Sequence, residues 1–322
     1  MTTLSAEVLV QEPQAECRSS KFVAFLAVFT WVNTWLFFPF GLFFLIWYLF
    51  GILYSLTFWF GLGFLAPPVP QINGVRKFIN NMRYWVDGTE VVGESPNANG
   101  INRGKPLLQC HHPHGALAIN ACSKGGLDLS VRAVVAPLCF RMPLCRQMMQ
   151  AMGAISSKKK EFTKYMQTGK DFAVIPGGVE EVVLTDRRHE RIFLRKRKGF
   201  VKYALEMGYD LLPVYHLGET QLFHICWPFS TLFMVRLRLA FARKAQIATG
   251  LGYGCLLMPN LPKMNQKCIT VIGERIVLPR IERPTSEDVD RYHALYVERL
   301  TALYNQNRHR LPDYADKPLE VW

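Results

Sequence analysis

Between residues 22 and 66 the chain carries no Asp, Glu, Lys, Arg or His, and the stretch is dense in Phe, Leu and Trp. A helix that crosses a bilayer needs about 20 apolar residues, so this run is long enough for two helical passes with a reversal between them. Pro39 and Gly41 lie near its middle and mark the expected turn. A cleaved signal peptide fits poorly, because the run is too long and Glu7, Glu12 and Glu16 occupy the leader before it. Arg18 and Lys21 precede the run, Arg76, Lys77 and Arg83 follow it, and the turn has no basic residue. By the positive-inside rule both ends then face the cytosol. The expected organisation is a cytosolic tail over residues 1–21, a transmembrane helical hairpin over 22–66 and a cytosolic domain over 67–322.

Half of the 322 residues are hydrophobic and 20% are charged, yet the formal net charge is +13. Such a balance suits nucleic acid, an anionic membrane surface or a phosphate-bearing ligand. No nucleic-acid-binding signature occurs, which leaves the last two. Eight cysteines without a C-x-x-C pair read as reduced packing thiols rather than a zinc ribbon or a disulfide framework. The absence of any Asn-x-Ser/Thr acceptor agrees with a cytosolic domain.

Beyond a Pro-rich linker at 67–70, residues 72–85 mix apolar and basic positions and are expected to form a helix along the membrane interface. Residues 87–105, rich in Gly, Asn and Pro, read as a loop. Short apolar or β-branched runs at 107–110, 133–138, 172–175, 211–215 and 269–272 predict strands, and residues 146–152, 160–167 and 199–207 predict helices between them. Alternation of this kind predicts an α/β domain with a mainly parallel sheet. A last helix begins after Thr285, which can cap it together with Asp288, and Val289, Tyr292, Tyr296, Leu300 and Leu303 recur on one of its faces.

Three strings could carry chemistry. Cys110-His111-His112-Pro113-His114-Gly115 stands where a strand gives way to the next element, and its spacing is compatible with a polar turn, a general base or a metal cluster. Pro176-Gly177-Gly178-Val179-Glu180-Glu181 follows a strand; its glycines would let backbone approach a ligand, and a carboxylate just beyond could orient a histidine or a hydroxyl. Residues 187–200 hold Arg187, Arg188, Arg191, Arg195, Lys196, Arg197 and Lys198 before a helix starting near Gly199. That is either a solvated face or a phosphate site, which Lys158, Lys159 and Lys160 could extend.

At these residues the chain resembles the type-2 diacylglycerol acyltransferase family, which also holds monoacylglycerol and wax-alcohol acyltransferases. The resemblance rests on His-Pro-His-Gly at 112–115, Gly-Gly-x-x-Glu ending at Glu181, Arg-Lys-Gly-Phe at 197–200 and Leu-Pro-Val-Tyr at 212–215, in that order, and runs from about Gln71 to Trp322. It implies an acyltransferase-like α/β core, a fatty acyl-CoA co-substrate, a neutral lipid acceptor, no metal and no bound cofactor, no nucleic acid, and an endoplasmic reticulum membrane setting with lipid droplets as a second destination. Self-association is a further expectation. The chain departs from the His-x4-Asp hallmark of related glycerolipid acyltransferases, since residue 119 is Ile and the nearest polar residue is Asn120. A Tyr-Phe-Pro motif of animal and fungal relatives is replaced by Arg83-Tyr84-Trp85, and Arg275 stands where Pro usually follows Gly273-Glu274.

A thioester is already activated, so such an enzyme need only bring an alcohol beside it and remove the proton. Plant relatives carry Glu-Pro-His-Ser at this string, which assigns the base to His114. His112 or Glu181 would orient it, Pro113 would set the two rings apart and Gly115 would leave room for substrate as part of the substrate-binding turn, and backbone N–H groups at Gly177 and Gly178 would steady the oxyanion. Arg195, Arg197, Lys198 and Gly199 would hold the coenzyme A phosphates. Diacylglycerol is the expected acceptor, with monoacylglycerol, a wax alcohol or a sterol as alternatives. A non-catalytic membrane lipid-binding protein is the rival from another class. For a histidine-ligated lipid hydroxylase, eight histidines with three clustered are too few. Tags placed before Met1 and after Trp322 should both be digested by protease in intact microsomes; protection of either one would contradict a hairpin with cytosolic ends.

Overall fold

The computed structural model describes residues 20–35, 37–93, 104–123, 131–227, 229, 231–248 and 250–322. Most of the expected tail and most of the loop at 87–105 therefore lie outside the described residues.

The strands are β1 (Glu90–Val92), β2 (Leu107–His112), β3 (Arg132–Val135), β4 (Ile155–Ser156), β5 (Phe172–Val174), β6 (Glu190–Ile192), β7 (Asp210–Leu217), β8 (His224–Cys226), β9 (Leu251–Tyr253), β10 (Ile269–Ile272) and β11 (Leu319–Val321). The helices are α1 (Lys21–Trp35), α2 (Phe37–Phe50), α3 (Ile52–Phe60), α4 (Asn73–Asn80), α5 (Met82–Trp85), α6 (Ile119–Ser123), α7 (Cys145–Ala151), α8 (Lys159–Met166), α9 (Val179–Leu184), α10 (Gly199–Met207), α11 (Leu232–Ala245) and α12 (Ser286–Asn307).

Among the described residues, seven strands form one sheet in the order β1-β10-β7-β2-β5-β3-β4. Its pairs are parallel except for β10 against β7, so the fold is α/β with a mainly parallel sheet. A parallel strand covered on both faces is apolar along its length, and β2 is buried at every position. Alternation then divides its side chains. Leu108 and Cys110 face a core with Phe200, Leu211, Tyr215 and Tyr296, whereas Leu107 packs on the other face with Leu212, Val214 and Ile272. The α12 cap forms as a capping box between Thr285 and Asp288.

Three expectations are corrected. The strand at 133–138 stops at Val135, because Pro137 has no N–H for the ladder and begins a short 3-10 turn, Pro137–Phe140. The interfacial helix at 72–85 breaks at Asn81 into α4 and α5, and its apolar side (Ile79, Met82) is fully buried against α1 rather than free for an interface. The reversal in the charge-free run falls at Gly51, not at Pro39 and Gly41. Pro39 sits in the first turn of α2, where its missing N–H costs nothing, while Gly51 takes φ 91°, which only glycine adopts freely.

The charge-free run is thus bent and then folded back. The axes of residues 21–35 and 40–50 differ by 67°. Beyond the bend, α2 and α3 run antiparallel: the Ser55 hydroxyl donates to the Phe43 carbonyl (2.7 Å), and Trp59 packs on Phe40 and Phe43. No single helix among the described residues is long and apolar enough to cross a membrane, although the bent pair is, taken together. At about 1.5 Å per residue the 14 residues of α2 span about 21 Å, short of the roughly 30 Å of a hydrocarbon core. Tyr48, Leu53, Tyr54 and Phe50 on this hairpin are largely exposed.

By contrast, α1 belongs to the domain. Ala27, Val28, Trp31 and Val32 pack with Ile79, Met82 and Ile119, and the Trp31 indole N–H donates to the Leu117 carbonyl (3.1 Å). The far end of the hairpin is fastened too, as Arg146 of α7 donates to the Gly63 and Ala66 carbonyls (2.7 and 3.1 Å) and Gln147 to that of Leu62 (2.8 Å). Trp31→Ala should lower stability by about 3–5 kcal/mol, whereas Tyr48→Ala on the outer hairpin should change it by no more than about 0.5 kcal/mol. Thermal unfolding in detergent micelles checks this; equal effects would mean that α1 is not part of the core.

Candidate active site

The sheet presents residues 112–115 at the carboxyl end of β2, beside the turn that leads from β5 into α9. His112, still on the strand, is buried. Its Nδ1 donates to Glu181 Oε1 (3.1 Å), and its Nε2 accepts from the Tyr296 hydroxyl of α12 (3.1 Å). Burial holds the Tyr296 phenol well above its ordinary pKa and so keeps that donor protonated.

Glu181 gathers the site. Besides His112 it accepts the backbone N–H of His114 at Oε2 (2.8 Å) and that of Phe193 at Oε1 (3.2 Å), all within the protein interior. Its path explains the two glycines. A Cβ on Gly177 would overlap the Glu181 carboxyl, so this glycine makes room for the acid, and Gly178 turns the chain into α9 at φ 57°. The Gly178 N–H donates to the Ile175 carbonyl (3.1 Å) and is therefore occupied by the turn itself.

His114 stands off the strand and is half-buried. Its Nδ1 lies 3.2 Å from the Gly115 carbonyl. A carbonyl only accepts, so the proton sits on Nδ1 and the lone pair remains on Nε2. Burial lowers the His114 pKa below the ordinary histidine value, and the Glu181 charge and the Gly115 carbonyl offset this in part. A neutral imidazole with a free Nε2 is a competent base. Glu181 thus orients His114 through its backbone, and His112 contacts Glu181 and Tyr296.

A further carboxylate went unread in the sequence. Glu219, just past β7, accepts the backbone N–H groups of Ile119 and Asn120 (both 2.9 Å) and the Asn120 side-chain amide (2.7 Å). It lies under the turn, where a Cβ on Gly115 would come within 2.6 Å of its Cγ. Burial pushes the Glu219 pKa up to about 7 against these hydrogen bonds. The clue was the acid in Leu217-Gly218-Glu219, a string that begins two residues past the apolar run at 211–215. The turn it supports closes with the Ala118 N–H on the His114 carbonyl (3.0 Å) and Ala118 at φ 51°, a backbone conformation that L-residues adopt at a cost.

The other histidine of the string turns away. His111 meets His216 on the opposite face of the sheet (2.8 Å), and His216 in turn meets Thr270 (3.0 Å). Burial, with the nearby His112, lowers the His216 pKa to about 3. No group of three His, Cys, Asp or Glu among the described residues is arranged to hold a metal ion. Cys110 is enclosed in the core and burial pushes its thiol far up, which leaves no thiolate for nucleophilic attack.

The basic run disperses. Arg197 pairs with the buried Glu180, which Arg243 of α11 also approaches (3.4 Å); Lys198 pairs with Asp290 (2.6 Å) and Arg191 with Glu320 (2.8 Å). Arg195 and Lys196 are exposed, and Gly199 opens α10 beside them. The backbone here is held by the end of the chain, with the N–H groups of Leu194 and Arg195 both donating to the Trp322 carbonyl (2.8 Å each). Of these cations, Arg197 comes within about 4.0 Å of where a Cβ on Gly178 would lie.

A family model for diacylglycerol acyltransferase matches residues 97–321. Acyl-CoA wax alcohol acyltransferase 1 of Homo sapiens is 30% identical over 212 residues, 61% of this chain and 65% of that protein. Diacylglycerol O-acyltransferase 2 of Bos taurus is 29% identical over 229 residues, 66% of this chain and 63% of that protein. The match thus spans somewhat less than two thirds of these relatives' length. Among solved structures, the 1-acyl-sn-glycerophosphate (LPA) acyltransferase PlsC of Thermotoga maritima aligns over 89% of this chain and 97% of that one, at 13% identity and a TM-score of 0.42, a likeness too loose to support any argument. On the family match, which takes in the His112–Gly115 turn, Glu181 and Glu219 alike, the chain belongs to the diacylglycerol acyltransferase family.

Proposed function

We propose that the protein transfers a fatty acyl group from acyl-CoA to the hydroxyl of a neutral lipid, with diacylglycerol as acceptor and triacylglycerol as product. The observation that carries this reading is His114, whose Nδ1 is committed to a carbonyl while Nε2 is left as a base on a turn fixed by Glu181. Nε2 takes the proton of the acceptor hydroxyl as its oxygen attacks the thioester carbonyl. The C–S bond then breaks, and the proton passes to the departing sulfur to give free coenzyme A. Glu181 keeps the turn in register, and Tyr296 and His112 hold Glu181 in place.

Wax alcohols are a second acceptor class, favoured by the comparable identity to a wax alcohol acyltransferase. A membrane setting, the endoplasmic reticulum in this reading, is supported by the exposed apolar hairpin and by a second exposed apolar surface on and around α11. There Phe229, Phe233, Leu237 and Phe241 recur every fourth residue and lie close to Arg236, Arg243 and Lys244. Apolar side chains bordered by cations suit the headgroup region of an anionic membrane.

Microsomes containing the protein, given labelled acyl-CoA and a panel of acceptors, should form ester with diacylglycerol as the preferred acceptor; binding of lipid without any turnover would favour the non-catalytic rival. His114→Ala should lower kcat about 100-fold to 10,000-fold at unchanged protein level. Gly177→Ala, which displaces Glu181, should also lower kcat more than it raises the KM for acyl-CoA. The pH dependence has a definite sign. A histidine whose pKa is lowered stays neutral further into acid, so the acidic limb of kcat/KM should fall below pH 6.5, the ordinary histidine value. A limb above that value would exclude His114 as the base.

A further inference from the structure

The cations expected to meet coenzyme A are largely neutralised, as Arg197 is held by Glu180 and Lys198 by Asp290. Unneutralised cations stand elsewhere. A cleft of about 480 Å³ opens where β3 and β4 end, lined by Arg141, Lys158 and Lys164, by Arg132, and by the rings of Phe140 and Tyr165. Arg132 is bonded to Gln71 (2.6 Å) and lies over the Tyr165 ring. Arg141, Lys158 and Lys164 are exposed and, among the described residues, form no ion pair; Glu161 is the one acid in the lining. Three unpaired cations beside two aromatic rings make a surface for a ligand that joins several phosphates to a flat heterocycle. The volume is that of an ordinary small-molecule site.

Position adds to this. In parallel sheets ligands collect beyond the carboxyl ends of the strands. Phe140 and Arg141 follow that end of β3, Lys158 follows that end of β4, and His114 follows that end of β2 on the same sheet. From β2 through β5 and β3 to β4 is three strand spacings, about 14 Å. A ligand whose reactive group and phosphates lie at opposite ends of an extended arm could occupy both places at once.

We propose that this cleft receives the nucleotide end of acyl-CoA, with its phosphates on Arg141, Lys158 and Lys164 and its adenine against Phe140 or Tyr165. This rests on the acyl-CoA reading above and moves the phosphate site away from residues 195–199. Calorimetry on the full chain in detergent micelles tests it with coenzyme A and dephospho-coenzyme A as probes. The triple variant Arg141→Gln, Lys158→Gln, Lys164→Gln should raise the Kd for coenzyme A about tenfold or more, narrow the gap between the two probes and raise the KM for acyl-CoA with kcat nearly kept. Photolabelling of the wild type with an 8-azidoadenine analogue of coenzyme A, which requires no variant to fold, should mark residues 132–168. Label at residues 187–202 instead, or a triple variant that binds coenzyme A like wild type, overturns the site. So does a triple variant that loses only its binding to phosphatidic acid vesicles, since the cleft would then hold lipid headgroups. If the wild type binds coenzyme A in the cleft but never turns over acyl-CoA, the acyltransfer reading fails and the site stands; normal turnover with an unaffected triple variant has the opposite meaning.

Discussion

A single buried carboxylate, that of Glu181, holds three parts of the molecule in register. Through His112 it touches the end of β2, through the His114 N–H it fixes the turn at 112–115, and through the Phe193 N–H it ties down the chain leaving β6. A carboxylate away from water is tolerable only when its oxygens are fully used, and these accept three hydrogen bonds. The neighbouring residue faces the other way with equal consequence. Glu180, also buried, draws Arg197 and Arg243 onto α9 and so joins the approach to α10 with α11. Two adjacent acids on one short helix thereby organise the surroundings of Phe193, whose N–H meets Glu181 and whose ring lies under both Arg197 and Arg243.

The parts of the fold that announce themselves in the sequence are those governed by local rules. Strands β2, β5, β7 and β10 each carry a short apolar or β-branched run because they are covered on both faces, and α12 begins where a capping pair begins it. The short strands β6, β8, β9 and β11 lack any such signature. Strand β6 is Glu190-Arg191-Ile192, and its pairing with the last residues of the chain is a matter of tertiary position alone. Helix α11 escaped notice for another reason: with Phe, Leu and Arg all round, it lacks the contrast between faces that makes a helix legible.

The site was legible to a similar degree. The candidate residues His112, His114 and Glu181 sit within two short strings, but how they are arranged depends on direction, which spacing does not encode. His111 and His112 are neighbours in sequence and lie on opposite faces of the sheet. The missing side chain of Gly177, read in the sequence as room for a ligand, also makes room for Glu181. The run from Arg187 to Lys198 looked like one positive patch, yet its partners come from α9, α12 and β11, all distant along the chain or on another element. Net charge can be counted in a sequence; which charges are already spoken for cannot.

The fastening of the apolar hairpin has a mechanical meaning. On one side α1 is buried in the core and bonded by Trp31 to the carbonyl of Leu117, three residues beyond His114; on the other, Arg146 and Gln147 hold the returning end. The hairpin is therefore flanked on both sides by segments fastened to the domain. The position of the turn at 112–115 relative to α2 and α3 is set by side-chain packing, and cutting away residues 20–66 would expose the face on which that turn is built.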